Sequence, residues 1–325
     1  MVSENLLSIN DFSIQFKTLD GSIIYAVNNI SLDIKPKETI AIIGESGSGK
    51  SQFMLGVMKL LPKNATTTGK VIFNNTDISK LSFNDINKIR GTEISMIFQD
   101  PMTSLNPYLK ILPQITEVLT KNNKYTKAEA VEKAIEIMEK IGIPEARRRA
   151  NFYPHQFSGG MKQRIMIAIA LVVNPRLVIA DEPTTALDVT IQAQILDIFK
   201  NLKNIIDASV IFITHDLAVV SEIADKVAVF YGGRIVEFGT RDDVFNNPKH
   251  PYTIALLKAV PKLSNTGKEK LYSIEGFPPT LNQKPKDCAF KDRCLYAIGK
   301  CHQQVPDFVE ISNNHKVACF KAGEI

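Results

Sequence analysis

The sequence contains no tryptophan, and no apolar run approaches the roughly 20 residues that a membrane-spanning helix needs. Its first residues, MVSENLLSINDF, lack the basic segment and following apolar stretch of a secretory signal. Cysteine is scarce, and its four residues all follow residue 287. These absences predict a soluble, cytoplasmic protein, which other chains would have to hold at a membrane if it acts there.

A concentration of charge is also lacking. The net charge is +5, and the one tight basic run is EARRRAN at residues 145–151. A nucleic-acid-binding protein normally carries a broad basic face, whereas a short run of this kind is typical of a solvated helix end. The charge pattern therefore predicts no nucleic-acid partner.

Strand-like segments alternate with helical patterns over most of the chain. LLSINDFSIQF and YAVNNISLDI read as strands on either side of the turn LDGS. ETIAIIG, RLVIADE and SVIFITHD are short, continuous apolar runs of the kind found in buried parallel strands. A mostly helical region, about residues 100–170, interrupts them. The pattern predicts an α/β fold with a mainly parallel sheet core, an antiparallel β subdomain and a helical subdomain.

The amino-acid composition changes near residue 248. Prolines recur in PKHPY, GFPPT and QKPKD, and the cysteines follow. This change predicts a large domain over residues 1–247 and a small Cys-rich C-terminal appendage over residues 248–325.

A glycine-rich segment directly follows the ETIAIIG strand. GESGSGKS, residues 44–51, fits the phosphate-loop pattern G-x-x-x-x-G-K-[ST]. Small residues let successive N–H groups converge on phosphate oxygens, and the positive end of the next helix points at the same anion. The lysine would reach the β- and γ-phosphates, and the last hydroxyl would bind Mg²⁺. The predicted nucleotide-binding residues are Gly44, Glu45, Ser46, Gly47, Ser48, Gly49, Lys50, Ser51 and Gln52.

Two acidic residues end the apolar run LVIADE. Asp181 is placed to hold Mg²⁺ together with Ser51, and Glu182 to orient or deprotonate a water that attacks the γ-phosphate. An isolated acidic pair would more often be a solvated strand end, but an upstream phosphate loop favours the metal and base roles. The residues therefore predict a nucleoside triphosphatase that uses ATP and Mg²⁺.

Further motifs follow in one order: Gln99 in MIFQDP, then FSGGMKQR, ADEPTTALD, and His215 in ITHD. Each is weak alone, because a lone Gln or His is usually an ordinary polar residue. Together, from about residue 6 to 245, they resemble the nucleotide-binding subunit of an ABC transporter. The resemblance implies that Gln99 contacts Mg²⁺ and the attacking water, that His215 contacts the γ-phosphate, and that adenine stacks on Phe16 or Tyr25.

The same resemblance implies a signature loop that acts on the ATP of a partner chain. Its residues would be Ser158, Gly159, Gly160 and Met161. Phe157 and Met161 replace the first and last residues of the common L-S-G-G-Q signature, but the serine hydroxyl and the glycine N–H groups remain. Asp188 in TALD would link the two active sites across the dimer.

Longer stretches narrow the resemblance and extend it over essentially the whole chain. QDPMTSLNP, YPHQFSGGMKQR, ADEPTTALDVTIQAQI and HPYTIALLKAVP resemble the ATP-binding subunits of bacterial oligopeptide and dipeptide permeases, and IPEARRRANFYPHQFSGG is most similar to their D-type subunit. The resemblance implies a peripheral protein at the cytoplasmic face of the membrane. Its partners would be a related F-type ATPase subunit, two transmembrane permease subunits and an external peptide-binding protein.

The four cysteines form a separate question. Cys288, Cys294, Cys301 and Cys319 are separated by five, six and seventeen residues, which match neither zinc-ribbon nor ferredoxin spacings. Since cytosolic disulfides are disfavoured, the residues leave open an iron–sulfur cluster, zinc with His302 or His315 as substitute ligands, and free buried thiols. Some peptide-permease ATPases carry a [4Fe-4S] cluster here, and CAFKDRCLYAIGKC resembles that region. The resemblance implies such a cluster in a structural role.

Some of these motifs also occur in proteins with functions other than peptide import. Nickel and antimicrobial-peptide importers share these motifs. A soluble ABC ATPase that acts on DNA or ribosomes usually has two ATPase units or long coiled coils, and this chain has neither a second unit nor heptads. A scaffold that binds ATP without hydrolysing it would not need Glu182 and His215. The sequence predicts an ATPase that powers import of oligopeptides or dipeptides.

Overall fold

A computed structural model of the chain describes residues 4–121, 125–185, 187–259, 272–312 and 314–324. In these residues the strands are β1 Leu7–Lys17, β2 Ile23–Ile34, β3 Thr39–Ile43, β4 Ala65–Phe73, β5 Thr76–Asp77, β6 Ile94–Ile97, β7 Leu177–Asp181, β8 Ser209–Ile213, β9 Lys226–Tyr231, β10 Arg234–Thr240, β11 Val309–Ser312 and β12 His315–Val317. The α-helices are α1 Lys50–Val57, α2 Phe83–Ile86, α3 Pro101–Ser104, α4 Ile111–Thr120, α5 Lys127–Lys140, α6 Ala146–Arg149, α7 Gly159–Leu171, α8 Val189–Lys200, α9 Leu202–Ile205, α10 Leu217–Ile223, α11 Arg241–Asn246 and α12 Pro251–Lys258.

The chain divides into two compact units. The first contains residues 1–34, 40–80 and 214–325, and the second contains residues 35–39 and 81–213. Over the described ranges, each helix is too short or too polar to cross a bilayer.

The first unit contains an antiparallel sheet in the order β2-β1-β4-β5 and a mixed set of strands in the order β11-β12-β10-β9-β3. The predicted hairpin around LDGS is present, since β1 pairs antiparallel with β2. Strand β3 is parallel to β9, but β9 and β10 are antiparallel. Gly232 and Gly233 connect them with φ of 55° and 76°, the conformation of a tight hairpin turn. The sheet core is therefore mixed rather than mainly parallel.

The second unit holds the parallel strands β6, β7 and β8 together with helices α2–α9. Every residue of β7 and β8 is buried, which explains their continuous apolar sequences. Helices α4, α5 and α7 pack against one another within the predicted helical region. Helix α5 begins with a capping box between Thr126 and Glu129 and buries Ala130, Ala134 and Met138 on one face.

The C-terminal region contributes to the core of the first unit. Strand β12 pairs with β10. Phe290 packs edge-on against Tyr231 and Tyr252, with ring centroids 5.2 and 5.4 Å away. The structure therefore does not support the expected Cys-rich appendage, because β12 and Phe290 are built into the same sheet and core as β9 and β10.

A buried carboxylate connects strand β10 to the following chain. Glu237 is fully buried and accepts hydrogen bonds from the backbone N–H groups of Lys249 (2.7 Å) and His250 (3.0 Å). Its other neighbour is Nε2 of His315, at 2.8 Å. Because His315 is 1% exposed and engaged in this way, the suggestion that it substitutes as a zinc ligand is not supported.

His250 is neutral in this setting. Burial lowers the pKa of His250 from its ordinary value of 6.5 to about 4, although the nearby Glu237 acts in the opposite direction. Its Nδ1 accepts a hydrogen bond from the Tyr252 N–H at 3.0 Å, so protonation there would break this bond. The unfolded chain binds a proton more readily than the folded chain below pH 6.5. The contribution of His250 to stability is thus complete above pH 6.5 and is lost as the pH falls toward 4.

We expect His250→Gln to weaken the pH dependence of stability. The pKa difference corresponds to a loss of about 2 kcal/mol in the free energy of unfolding between about pH 7.5 and pH 5, and glutamine does not titrate. Urea unfolding of both proteins across this range measures the difference. His302→Gln, the same replacement at an exposed position, is the matched control variant. Identical pH dependence in wild type and His250→Gln would contradict the prediction.

Candidate functional site

The loop over residues 44–51 connects β3 to α1 and contains glycines that no other residue can replace. Gly44 has φ of 149°, and a Cβ there would lie 2.1 Å from the Phe230 carbonyl oxygen. Gly49 has φ of 103°, and its Cβ would lie 2.4 Å from the Ala26 carbonyl oxygen. The predicted phosphate loop therefore has a conformation and close backbone contacts that require glycine at both positions.

Lys50 starts helix α1 and is 5% exposed. Its Nζ donates to the carbonyl oxygens of Gly44 and Glu45, each at 2.8 Å. The buried ammonium group thus lies at the loop, where an anion would meet both its charge and the N-terminus of α1. Ser48 is also buried, whereas Ser51 and Gln52 are partly exposed in the first turn of the helix.

The predicted acidic pair lies at the end of β7. Asp181 is 7% exposed and is the last residue of the strand. Glu182 has φ of 47°, a left-handed conformation that is uncommon for a residue with a side chain. Its Oε2 accepts hydrogen bonds from Thr185 Oγ1 at 2.9 Å and from Gln99 Nε2 at 3.2 Å. The structure therefore brings Gln99 and Glu182 together, and Thr185 is a partner that sequence reasoning missed.

The predicted signature residues occupy the start of helix α7. Ser158 is the N-cap, and its hydroxyl accepts the Met161 N–H at 3.4 Å. A Cβ on Gly159 would have no neighbour within 4 Å, but one on Gly160 would lie 2.4 Å from Cγ2 of Ile191 in α8. Gly160 therefore lets α7 approach α8, while Gly159 is open.

Gln163 is a second residue that sequence reasoning missed. It is 1% exposed, and its Nε2 donates to the Pro183 carbonyl oxygen at 2.7 Å. This bond joins the signature helix to the turn that carries Glu182. A glutamine in an apolar helix was the available sequence signal, because a buried amide needs a partner.

The remaining predicted residues lie at helix starts or on strands. Asp188 caps α8 by accepting the Ile191 N–H at 2.9 Å. His215 is exposed and precedes Asp216, which caps α10. Phe16 and Tyr25 are both partly exposed on the β1–β2 hairpin, and the Tyr25 N–H donates to the Leu281 carbonyl oxygen at 2.6 Å.

The cysteines give no support to the predicted metal site. Within the described residues, no group of three or more His, Cys, Asp or Glu side chains is arranged to hold a metal. Burial raises the pKa of Cys288 to about 11 and also raises the pKa values of Cys294 and Cys319. Cys301 is buried, and its carbonyl oxygen accepts the Cys288 N–H at 3.0 Å. The predicted iron–sulfur cluster and the alternative zinc site are therefore not supported by the described residues.

We expect Gly160→Ala to destabilise the protein and Gly159→Ala to leave its stability nearly unchanged. The new methyl group would overlap Ile191 only at position 160, which should cost about 1–3 kcal/mol of unfolding free energy. Chemical denaturation of both variants tests this. In an Ile191→Ala background the cost at position 160 should fall, and equal losses for the two glycines would contradict the packing argument.

Comparison with known proteins agrees with this geometry. A family model described as ABC transporter matches residues 27–185, and one described as oligopeptide/dipeptide transporter, C-terminal region, matches residues 236–301. Among solved structures, the ADP- and Pi-bound dimer of the ATP-binding cassette MJ0796 is 30% identical with a TM-score of 0.63 and covers 72% of this chain and 98% of its own. CbiO1 of Clostridium perfringens is 27% identical with a TM-score of 0.64, and the match covers 75% of this chain and 92% of its own.

Curated relatives extend the similarity to nearly the full length. The oligopeptide transport ATP-binding protein OppD of Bacillus subtilis is 50% identical over 96% of this chain and 87% of its own. OppD of Escherichia coli is 47% identical over 99% of this chain and 95% of its own length. The dipeptide transport ATP-binding protein DppD of Bacillus subtilis is 47% identical over 98% of this chain and 95% of its own length. These similarities confirm the resemblance read from the motifs. The chain belongs to the family of ATP-binding subunits of oligopeptide and dipeptide ABC transporters.

Proposed function

We propose that this chain is the ATP-hydrolysing subunit that powers import of oligopeptides or dipeptides through a membrane ABC transporter. The observation that carries the proposal is the loop over residues 44–51, with its two obligatory glycines and the buried ammonium group of Lys50. Peptide as the transported solute comes from the similarity to the OppD and DppD proteins. The proposal requires ATP and Mg²⁺.

The loop residues hold the nucleotide in this proposal. Backbone N–H groups of the loop and the Lys50 ammonium bind the phosphates, and an aromatic ring, Phe16 or Tyr25, stacks on adenine. Ser51, Gln99 and Asp181 are the residues that would hold Mg²⁺, which would supply positive charge to offset that of the phosphates.

Glu182 orients or deprotonates the attacking water. Its carboxylate oxygen Oε2 accepts hydrogen bonds from Thr185 and Gln99, which orient the group. His215 contacts the γ-phosphate in this proposal. The left-handed backbone of Glu182 supports a specialised role, because such strain is kept where the side chain must point in one direction.

A complete site requires two chains. The residues Ser158, Gly159, Gly160 and Met161 act on ATP held by the partner's phosphate loop, and Asp188 links the two sites. The open position of Gly159 supports this role, since the residue is exposed and the space beside its Cα is free of other atoms of the described chain. The partner is a second ABC ATPase subunit, a related F-type chain.

The transport partners follow from the family. Two permease subunits in the membrane and an external peptide-binding protein complete the importer, and this chain lies peripherally at the cytoplasmic face. Residues 1–247 form the nucleotide-binding domain, and residues 248–325 form the region typical of peptide permeases.

We expect Glu182→Gln to lower the ATPase kcat by about 10²–10³-fold while ATP still binds, because the amide cannot accept the proton. Steady-state hydrolysis and equilibrium ATP binding measure the two effects. Glu136→Gln is a matched control, since Glu136 is an exposed carboxylate paired with Lys140 on α5. Wild-type turnover in Glu182→Gln would exclude the proposed role.

We expect Ser158→Arg to abolish turnover at the site formed with the partner's phosphate loop and to leave ATP binding at Lys50 largely intact. Binding and hydrolysis are measured on the assembled transporter. Ser158 is also a helix cap, so Ser82→Arg, which removes the cap of α2, controls for lost capping. Full-rate hydrolysis by a chain that is monomeric by light scattering would contradict the two-chain site.

A further inference from the structure

Arg293 is a buried arginine from the C-terminal region, far in sequence from the phosphate loop. Its side chain is 5% exposed. A guanidinium group has five N–H donors, and each has an acceptor here. The acceptors are Glu45 Oε2 at 2.8 Å, Glu45 Oε1 at 3.0 Å, Tyr231 Oη at 3.2 Å, the Ile274 carbonyl oxygen at 3.2 Å and the Glu275 carbonyl oxygen at 3.0 Å. The group is fixed by these bonds, two of which reach Glu45.

Glu45 is the second residue of the phosphate loop, and both its backbone and its side chain are engaged by residues outside the loop's first turn. Its N–H donates to Tyr252 Oη at 2.9 Å, and its carbonyl oxygen accepts from Lys50 Nζ at 2.8 Å. Its carboxylate makes the bidentate pair with Arg293, a geometry that restricts both side chains. The conformation of the loop at Glu45 is thus fixed from the C-terminal region as well as from helix α1.

The residues that hold Glu45 are themselves held in a packed aromatic cluster. Tyr231 and Tyr252 lie with ring centroids 4.4 Å apart, and Phe290 packs against both. The Arg293 guanidinium carbon lies 5.8 Å from the Tyr231 ring centroid. The Glu45 carboxylate and Tyr231 raise the pKa of Arg293 above its ordinary value, so this group is cationic at any pH at which the protein folds.

The charge of Glu45 opposes the proposed function of the loop. A carboxylate has the same sign as the phosphates that the loop would bind, and Glu45 is only 24% exposed, so water screens it incompletely. The bidentate pair neutralises this charge and holds the carboxylate toward the C-terminal region.

We propose that Arg293 is a positioning residue for ATP binding, which holds and neutralises Glu45 so that the phosphate loop accepts the nucleotide. The inference rests on the proposed assignment of residues 44–51 as the phosphate site. It gives the C-terminal region a direct part in nucleotide affinity. Arg293 acts through Glu45, and its removal should weaken ATP binding more than it slows hydrolysis at saturating ATP.

A double-mutant cycle on the full-length chain tests this proposal. Arg293→Ala should raise the Kd for Mg-ATP about tenfold, the size of a typical coupling between sites. In a Glu45→Gln background, the same substitution should raise Kd by no more than about twofold, because no charge is left to neutralise. Arg293→Lys should give an intermediate Kd, since it restores the charge but not the bidentate geometry. The KM for ATP should rise with Kd while kcat stays near the wild-type value.

Matched controls separate this role from general destabilisation. Arg147 makes a bidentate pair with Glu132 at 3.0 and 2.6 Å on an exposed helix surface, and Arg147→Ala should leave Kd unchanged. Equal losses of affinity for Arg293→Ala in both backgrounds, or none, would overturn the proposal. If Arg293→Ala does not fold, wild-type affinity in Arg293→Lys would overturn it. Lys50→Ala tests the phosphate site separately, because retained ATP binding there would refute the site itself whatever Arg293 does.

Discussion

The loop over residues 44–51 lies against two backbone carbonyl oxygens, and this close approach restricts the backbone of the loop at two of its glycines. At Gly44 the neighbour is the carbonyl of Phe230 in β9, and at Gly49 it is the carbonyl of Ala26 in β2. The Gly233 N–H adds a bond to the Ser48 carbonyl oxygen at 3.0 Å. Main-chain atoms of both sheets therefore hold the loop at Gly44, Ser48 and Gly49, and Lys50 begins α1 directly after it.

Hydrogen-bonded polar groups connect the C-terminal region to the phosphate loop. Glu237 is fully buried and must be satisfied, and the N–H groups of Lys249 and His250 satisfy it where the chain enters α12. Helix α12 then presents Tyr252, whose hydroxyl accepts the Glu45 N–H. The buried carboxylate in β10 thus helps to position the contact between Tyr252 and the phosphate loop. The same residues therefore stabilise the C-terminal region and hold the loop.

Much of the fold could be predicted because it has local signals. The fully buried strands β3, β7 and β8 are continuous apolar runs, and the loop and acidic motifs follow two of them. Two kinds of feature could not be predicted from the sequence. One is a contact between residues far apart in the chain, and the other is a sequence pattern that is compatible with more than one structure. A lone arginine such as Arg293 carries no local sign that it will reach Glu45, 248 residues away. Four clustered cysteines predicted a metal that the described residues do not support, and Phe290 of the expected appendage lies in the first unit's core, with Cys288 and Cys294 packed against it.

In the second unit, the signature helix and the acidic turn are parts of one packed arrangement. Gly160 lets α7 approach Ile191, and Asp188 caps the same first turn of α8 through the Ile191 N–H. Gln163 on α7 in turn binds the Pro183 carbonyl oxygen, one residue after Glu182. A displacement of α7 would therefore alter the turn that holds Glu182 as well as the residues at the start of α7. Since buried packing of this kind changes in discrete steps rather than continuously, the start of α7 and the turn at Glu182 form one packed unit, which under the proposed function would link the signature residues to the orientation of Glu182.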